Sequence, residues 1–133
     1  MELGGDRMCF ACGEENPRSL NLQFTLKGKN KEQVVATYTS DQYDQGYEGI
    51  MHGGLVSTLL DEAMAKVLSL NDIRAVTAEM TTRCKHPVEI GTELIITGYI
   101  KEKKSKLYFT EAELREKRTN RLMARGEAKF MTV

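Results

Sequence analysis

The chain has 133 residues, 41% of them hydrophobic, and its 19 basic and 19 acidic side chains cancel. That size and composition fit one compact domain with a real core and exclude a disordered chain. The balanced charge argues against nucleic-acid and membrane-surface partners, no apolar run is long enough to cross a bilayer, and no signal-peptide pattern is expected at the start. Three cysteines, an odd number, suit a reducing compartment better than a disulfide framework, so a cytoplasmic location is expected.

Residues 1–19 read as an irregular lead-in, broken by Gly4-Gly5, Gly13 and Asn16-Pro17. From Leu20 the pattern alternates: Leu20, Leu22, Phe24 and Leu26 face one way, and the polar residues between them face the other. That predicts a half-buried strand. Gly28-Lys29-Asn30 is a turn, and the β-branched stretch 32–39 is its hairpin partner. Residues 41–51 lack a regular period and form a loop. Residues 52–70 follow helical spacing, with Leu55, Val56, Leu59, Leu60, Ala63, Met64, Val67 and Leu68 on one broad arc and Thr58, Glu62 and Lys66 opposite. Asn71-Asp72 ends the helix. Four strands follow, at about 75–85, 92–101, 105–116 and 120–132 by their alternation. Two strands, one long buried helix and four strands predict a single α+β domain with an antiparallel sheet.

The chemistry concentrates around the helix start. Gly46 and Gly49 precede His52-Gly53-Gly54, and Asp61-Glu62 stands on the third turn. Backbone N–H groups at a helix start suit an anionic oxygen. Glycine lets a substrate approach without a Cβ in the way. Glu62 has Lys66 four residues on, an ordinary helix pair. Asp61 lies at the border of the apolar arc beside Ser57 and Met64, with no evident local partner, which is costly unless compensated. Its functional reading is a general base or a nucleophile; the bland one is a solvated or interface-paired acid.

His52-Gly53-Gly54, the following Leu59-Leu60-Asp61, the strand opening Val76-Thr77-Ala78-Glu79-Met80 and the lead-in Cys9-Phe10-Ala11-Cys12-Gly13 resemble the hotdog-fold thioesterases, specifically their PaaI-like branch. The element order matches along nearly the whole chain. The resemblance implies a sheet wrapped around the helix, a homodimer or homotetramer with sheets joined edge to edge, and active sites at the dimer interface. It implies hydrolysis of an acyl-CoA or aryl-CoA thioester without a cofactor. Asp61 then acts on water or on the thioester, Gly53 is the oxyanion donor, Gly54 permits close approach, and His52 orients the loop. Thr77, from the partner chain, assists the attacking water, and Glu79 shares the strand face of Thr77.

One departure stands out. Where many relatives have Asn six residues before the His, this chain has Gly46, and Gln45 is one position out of register. Gln45, Gly46, Met51, Ser57 and Met64 are the expected substrate contacts. Arg83, with Lys85, Lys101, Lys103 and Lys104, offers cations for coenzyme A phosphates. Cys9-x-x-Cys12 with Cys84-x-His86 has ligand types suited to zinc, but one CxxC with two distant ligands is a weak pattern, and no metal is expected. A non-catalytic ligand-binding module, a dehydratase on the same fold and a structural metal domain are the rival readings.

Overall fold

The computed structural model describes residues 3–133. Strands β1 (Thr25–Lys27) and β2 (Gln33–Thr39) precede a short 3-10 turn at Gln42–Asp44 and helix α1 (Gly53–Ser69). Strands β3 (Ala75–Cys84), β4 (Glu93–Lys104), β5 (Leu107–Glu116) and β6 (Leu122–Thr132) follow. They form one antiparallel sheet in the order β1-β2-β4-β5-β6-β3, so the chain crosses from one side of the sheet to the far edge through α1.

The predicted apolar arc is the packed face of α1. Val56, Leu59, Leu60, Ala63, Met64, Val67 and Leu68 are all buried. They meet Val34 and Ala36 of β2, Leu94 and Ile96 of β4, Ala112 and Leu114 of β5, and Ala124, Ala128 and Phe130 of β6 in one core. Gly98 sets how closely the helix lies on the sheet. A Cβ there would run into the carbonyl group of Ala63, so this position takes no larger residue without a backbone shift.

The strand expected from Leu20 is shorter than its alternation suggests. Leu22 is buried and its neighbours Asn21 and Gln23 are exposed, as predicted. Yet only Thr25–Lys27 joins the sheet, because Leu20 and Leu22 donate their N–H groups to Phe10 and Ala11 of the lead-in, and Asn21 turns left-handed with φ 55°. The lead-in is irregular, as expected, and packs onto the body through buried Ala11.

Strand β3 carries a second departure. Its register against β6 shifts between Thr77 and Glu79. Thr77, Met80 and Thr82 lie opposite Phe130, Ala128 and Gly126 on the helix side, whereas Glu79 and Arg83 lie opposite Lys129 and Arg125 on the outer side. Ala78 is thus the extra residue of a bulge, which reverses the alternation. Glu79 does not share a face with Thr77; it pairs with Lys129 at 3.7 Å. Among the described residues, no helix is long and apolar enough to cross a membrane.

Candidate active site

The loop before α1 is tied down before the helix begins. Buried Asp44 accepts hydrogen bonds from Tyr38 Oη (2.6 Å) and Asp41 N (2.9 Å), and its carbonyl accepts from His52 N (2.8 Å). His52 is the N-cap, and its Nδ1 accepts from Gly54 N at 2.8 Å. An accepting Nδ1 in a neutral ring places the proton on Nε2. The carbonyl of His52 takes the N–H groups of Leu55 and Val56 (3.0 and 3.1 Å). Gly53 N–H has no protein acceptor among the described residues. A Cβ at Gly53 would meet nothing within 4 Å. The first turn therefore presents one free donor, in open space, at the positive end of the helix.

A cavity of about 610 Å³ opens beside that donor. Gly46, Tyr47, Met51, His52, Gly53 and Val56 line one side, and Cys84, Lys85, His86, Pro87 and Val88 the other. Gly46 sits against His52: a Cβ there would approach His52 Cα to 3.1 Å. Gln45 does not replace the missing Asn. Its Nε2 donates to the Gln42 carbonyl (2.7 Å) and its Oε1 accepts from Gly49 N, so both ends of the amide close the loop itself.

Two turns further on, α1 presents Ser57 and Asp61 to the inner face of β3. Ser57 Oγ donates to Thr82 Oγ1 at 3.2 Å, and Thr77 Oγ1 donates to Asp61 Oδ1 at 3.0 Å. The register shift at Ala78 places Thr77 on this face. Asp61 is half-buried. Burial pushes its carboxyl above the ordinary value of 3.8, against a smaller opposing effect of the hydrogen bond from Thr77.

Several expected contacts need correction. Thr77 reaches Asp61 within its own chain, not from a partner. Met64 is fully buried in the core, packed near Gly126, and lines none of this cavity; Met51 does line it. Arg83 points to the outer face of the sheet because of the bulge. Lys66 does not pair with Glu62. Its Nζ bonds Asp6 Oδ2 at 2.7 Å, and Glu62 faces the thiols of the lead-in instead. Cys84 and His86 do not complete a site with Cys9 and Cys12: both line the cavity, and His86 Nδ1 lies 2.8 Å from Arg121. Tyr47, Pro87 and Val88 were not foreseen as lining residues. They reach the cavity through long-range backbone bonds such as Met51 N to Val88 O (2.8 Å), for which the sequence holds no local signal.

Comparison with known proteins follows the same lines. A family model described as the thioesterase superfamily matches residues 48–122, which span the helix start and most of the sheet. Human acyl-coenzyme A thioesterase 13 is 31% identical over 106 residues, 78% of this chain and 76% of that protein. Among solved structures, a thioesterase superfamily protein superposes with TM-score 0.84 at 23% identity, over 94% of this chain and 60% of its own. A Streptococcus pneumoniae thioesterase solved with coenzyme A gives 0.77 at 17% identity, over 85% and 89% of the two chains. The PaaI protein of Escherichia coli gives 0.77 at 18%, over 86% and 85%. These structures share the hotdog fold, and with the family match and the human relative they settle the family: this chain belongs to the thioesterase superfamily.

Proposed function

We propose that the chain is an acyl-CoA thioesterase in which Asp61 is the general base and Gly53 N–H the oxyanion donor. The observation that carries this is the Asp61–Thr77 pair: a half-buried carboxylate held by one hydroxyl on the packed side of the helix. Asp61 takes a proton from water, and the hydroxide attacks the thioester carbonyl. The carbonyl oxygen gains charge and is held by Gly53 N–H. Collapse of the tetrahedral intermediate breaks the C–S bond, and the departing thiolate recovers the proton. The products are a carboxylic acid and coenzyme A. Thr77 orients the carboxylate and keeps its unprotonated form in play.

The name of the human relative and the coenzyme A bound to the Streptococcus pneumoniae structure support the substrate class. That bacterial thioesterase has also been solved with one aspartate and, separately, one threonine replaced by alanine, sixteen positions apart. Asp61 and Thr77 stand at the same interval of 16.

The active form is a homodimer. Gly53 and Asp61 lie about 12 Å apart along one helix, at 1.5 Å per residue, further than one carbonyl and one water readily bridge. Strand β3 supplies the means of association: its ten residues pair on one side only, with β6. A long unpaired edge favours addition of another strand. A second copy paired there brings the helix start of one chain toward the Asp61 of the other. Light scattering of the purified protein reads the assembly directly, and a monomer that hydrolyses thioesters at full rate refutes this arrangement.

Activity is tested by thiol release from a panel of aliphatic and aryl acyl-CoAs. Turnover that disappears in a folded Asp61→Asn variant is the expected result. One observation favours a second reading, a binding module: Gly46 provides no side chain at the position of the missing Asn, and Gln45 is engaged elsewhere. Tight acyl-CoA binding without hydrolysis of any panel member would establish that reading instead.

A further inference from the structure

Away from the cavity, the lead-in folds over the polar face of α1 and brings two thiols against one carboxylate. Both Oε atoms of Glu62 lie 3.9 Å from Cys9 Sγ. The ligand atoms of Cys9, Cys12 and Glu62 all fall within 4.8 Å of one another, the one such group of three among the described residues. A fourth group is at hand, since Asp6 Oδ2 lies 3.6 Å from Cys12 Sγ. Tetrahedral zinc with Zn–S near 2.3 Å and Zn–O near 2.0 Å holds its ligands about 3.5–3.8 Å apart. The Cys9–Glu62 spacing of 3.9 Å is already close to this, and the widest spacing, at most 4.8 Å, closes by about 1 Å around an ion.

The backbone is shaped for this arrangement. Gly13 N donates to Cys9 O (2.8 Å) and Cys9 N to Asp6 O (3.0 Å), closing a tight turn that brings the two thiols together. A Cβ at Gly13 would collide with the backbone of Arg7 and Cys9, so the Cys-x-x-Cys-Gly sequence is what permits the turn. Glu62, meanwhile, lacks a strong partner. It is half-buried, Lys66 is committed to Asp6, and the thiol contacts it receives are long and weak. A cleft of about 440 Å³, lined by Cys9, Glu62 and Lys66 among others, gives access from solvent.

We infer that Cys9, Cys12 and Glu62 bind one thiophilic divalent cation of the zinc class, which fastens the lead-in to α1. Asp6 stands nearest the fourth coordination position. Binding displaces two thiol protons, leaving two thiolates and one carboxylate around a dication. With the Asp6 carboxylate the ligand set carries two net negative charges, and Lys66, whose Nζ lies 2.7 Å from Asp6 Oδ2, offsets one of them. The ligand set differs from the one its sequence motifs suggest: the helix supplies Glu62, and Cys84 and His86 take no part. With Asp6 as the fourth ligand the ion has four protein ligands and ties down a segment, which is the closed, structural type rather than the open catalytic one.

The test uses the full chain, reduced and stripped with a chelator, then titrated with Co²⁺ or Zn²⁺. One ion per chain is expected, and Co²⁺ should give thiolate charge-transfer absorption with the visible bands of a tetrahedral site. Cys9→Ser and Cys12→Ser should abolish this spectrum. Glu62→Gln should weaken Co²⁺ binding by at least about tenfold, and Cys84→Ser should leave the spectrum unchanged. Wild-type protein supplies an independent readout if a variant fails to fold: Zn²⁺ should shield two of the three thiols from alkylation. No stoichiometric binding, a spectrum that survives loss of Cys9 and Cys12, or thiols equally reactive with and without Zn²⁺ would each overturn the inference.

Discussion

Asp61 and Glu62 are neighbours in the chain, yet about 100° of helical rotation separates them and their surroundings share almost nothing. Asp61 faces the inner side of β3 and receives one hydroxyl at 3.0 Å. Glu62 faces the lead-in and meets the thiol of Cys9 at 3.9 Å, with Cys12 alongside. Burial raises the pKa of both carboxyls, so a perturbed acid alone does not say which one performs chemistry. The partners do. A hydroxyl suits the base proposed for Asp61, whereas two thiols and an acid suit the ligand set proposed for Glu62. On a helix laid against a sheet on one side and a folded segment on the other, one residue of displacement changes the whole surroundings of a carboxylate, and the two proposals rest on that difference.

The most direct way to break this comparison is to neutralise each acid in turn. Asp61→Asn keeps the shape and the oxygen that accepts from Thr77 but removes the base. It should lower kcat by about 10²–10⁴-fold, while circular dichroism shows the fold intact. Glu62→Gln should cost at least tenfold less in kcat. Equal losses in the same acyl-CoA assay would mean the two faces do not divide the work as described.

The other half of the proposed site is a backbone atom, so it needs a different substitution. Gly53 is the first residue of α1, where proline fits a helix and removes only a donor with no intrahelical partner. His52 has φ −58° and ψ 130°, a conformation compatible with a following proline. Gly53→Pro should therefore fold and lose about 10²–10³-fold in kcat, while Gly53→Ala, which keeps the N–H and meets open space, should lose far less. Similar rates for the two variants would remove Gly53 N–H from the mechanism.

Thr77→Ala sharpens the account with a smaller effect. A general base works only when ionised, so kcat/KM should fall on the acid side of a limb set by Asp61. Burial places that limb above the ordinary carboxylate value of 3.8, and the hydrogen bond from Thr77 pulls it back down. Removing the hydroxyl should shift the limb to higher pH, with a loss of about tenfold or less at neutral pH. A limb that stays put or moves to lower pH would show that Thr77 does not act through Asp61.

How much of this was legible in the sequence differs along the chain. The helix, its buried face and the last four strands follow from local periodicity, because each core position is repeated at 3.6 or 2 residues. Asp61 was legible as an acid at the edge of an apolar arc. Glu62 was misread because the nearby Lys66 offered a local pair, and a residue 60 positions away, Asp6, competes successfully for that lysine. Thr77 was found but assigned to the wrong chain. Alternation alone puts Glu79 on the face of Thr77, and the single inserted residue Ala78, which leaves no mark in composition, reverses that face and every one after it. The strand from Leu20 failed for a similar reason: alternating burial continues through residues 20–24, but their backbone bonds go to Phe10 and Ala11. Local patterns specify which side of a segment is apolar. They do not specify which distant backbone or side chain reaches it first.

The smallest expected effect is on stability, and it runs opposite to activity. The carboxyl of Asp61 binds its proton more readily folded than unfolded, because burial disfavours the charged form. Between the ordinary value and the raised one, the folded chain therefore holds more protons, and stability declines as pH rises through that window. At neutral pH the ionised Asp61 lowers stability relative to a neutral side chain of the same shape. Asp61→Asn should accordingly be more stable at pH 7, read as a higher Tm than wild type. The gain should shrink on acidification and vanish below the ordinary value, where wild-type Asp61 is protonated in both states. Melting curves at matched protein concentration across that pH range check the sign. A variant less stable than wild type at pH 7 would mean that Asp61 is held by interactions stronger than the single hydroxyl of Thr77, and its assignment as a strained, functional carboxylate would fall with it.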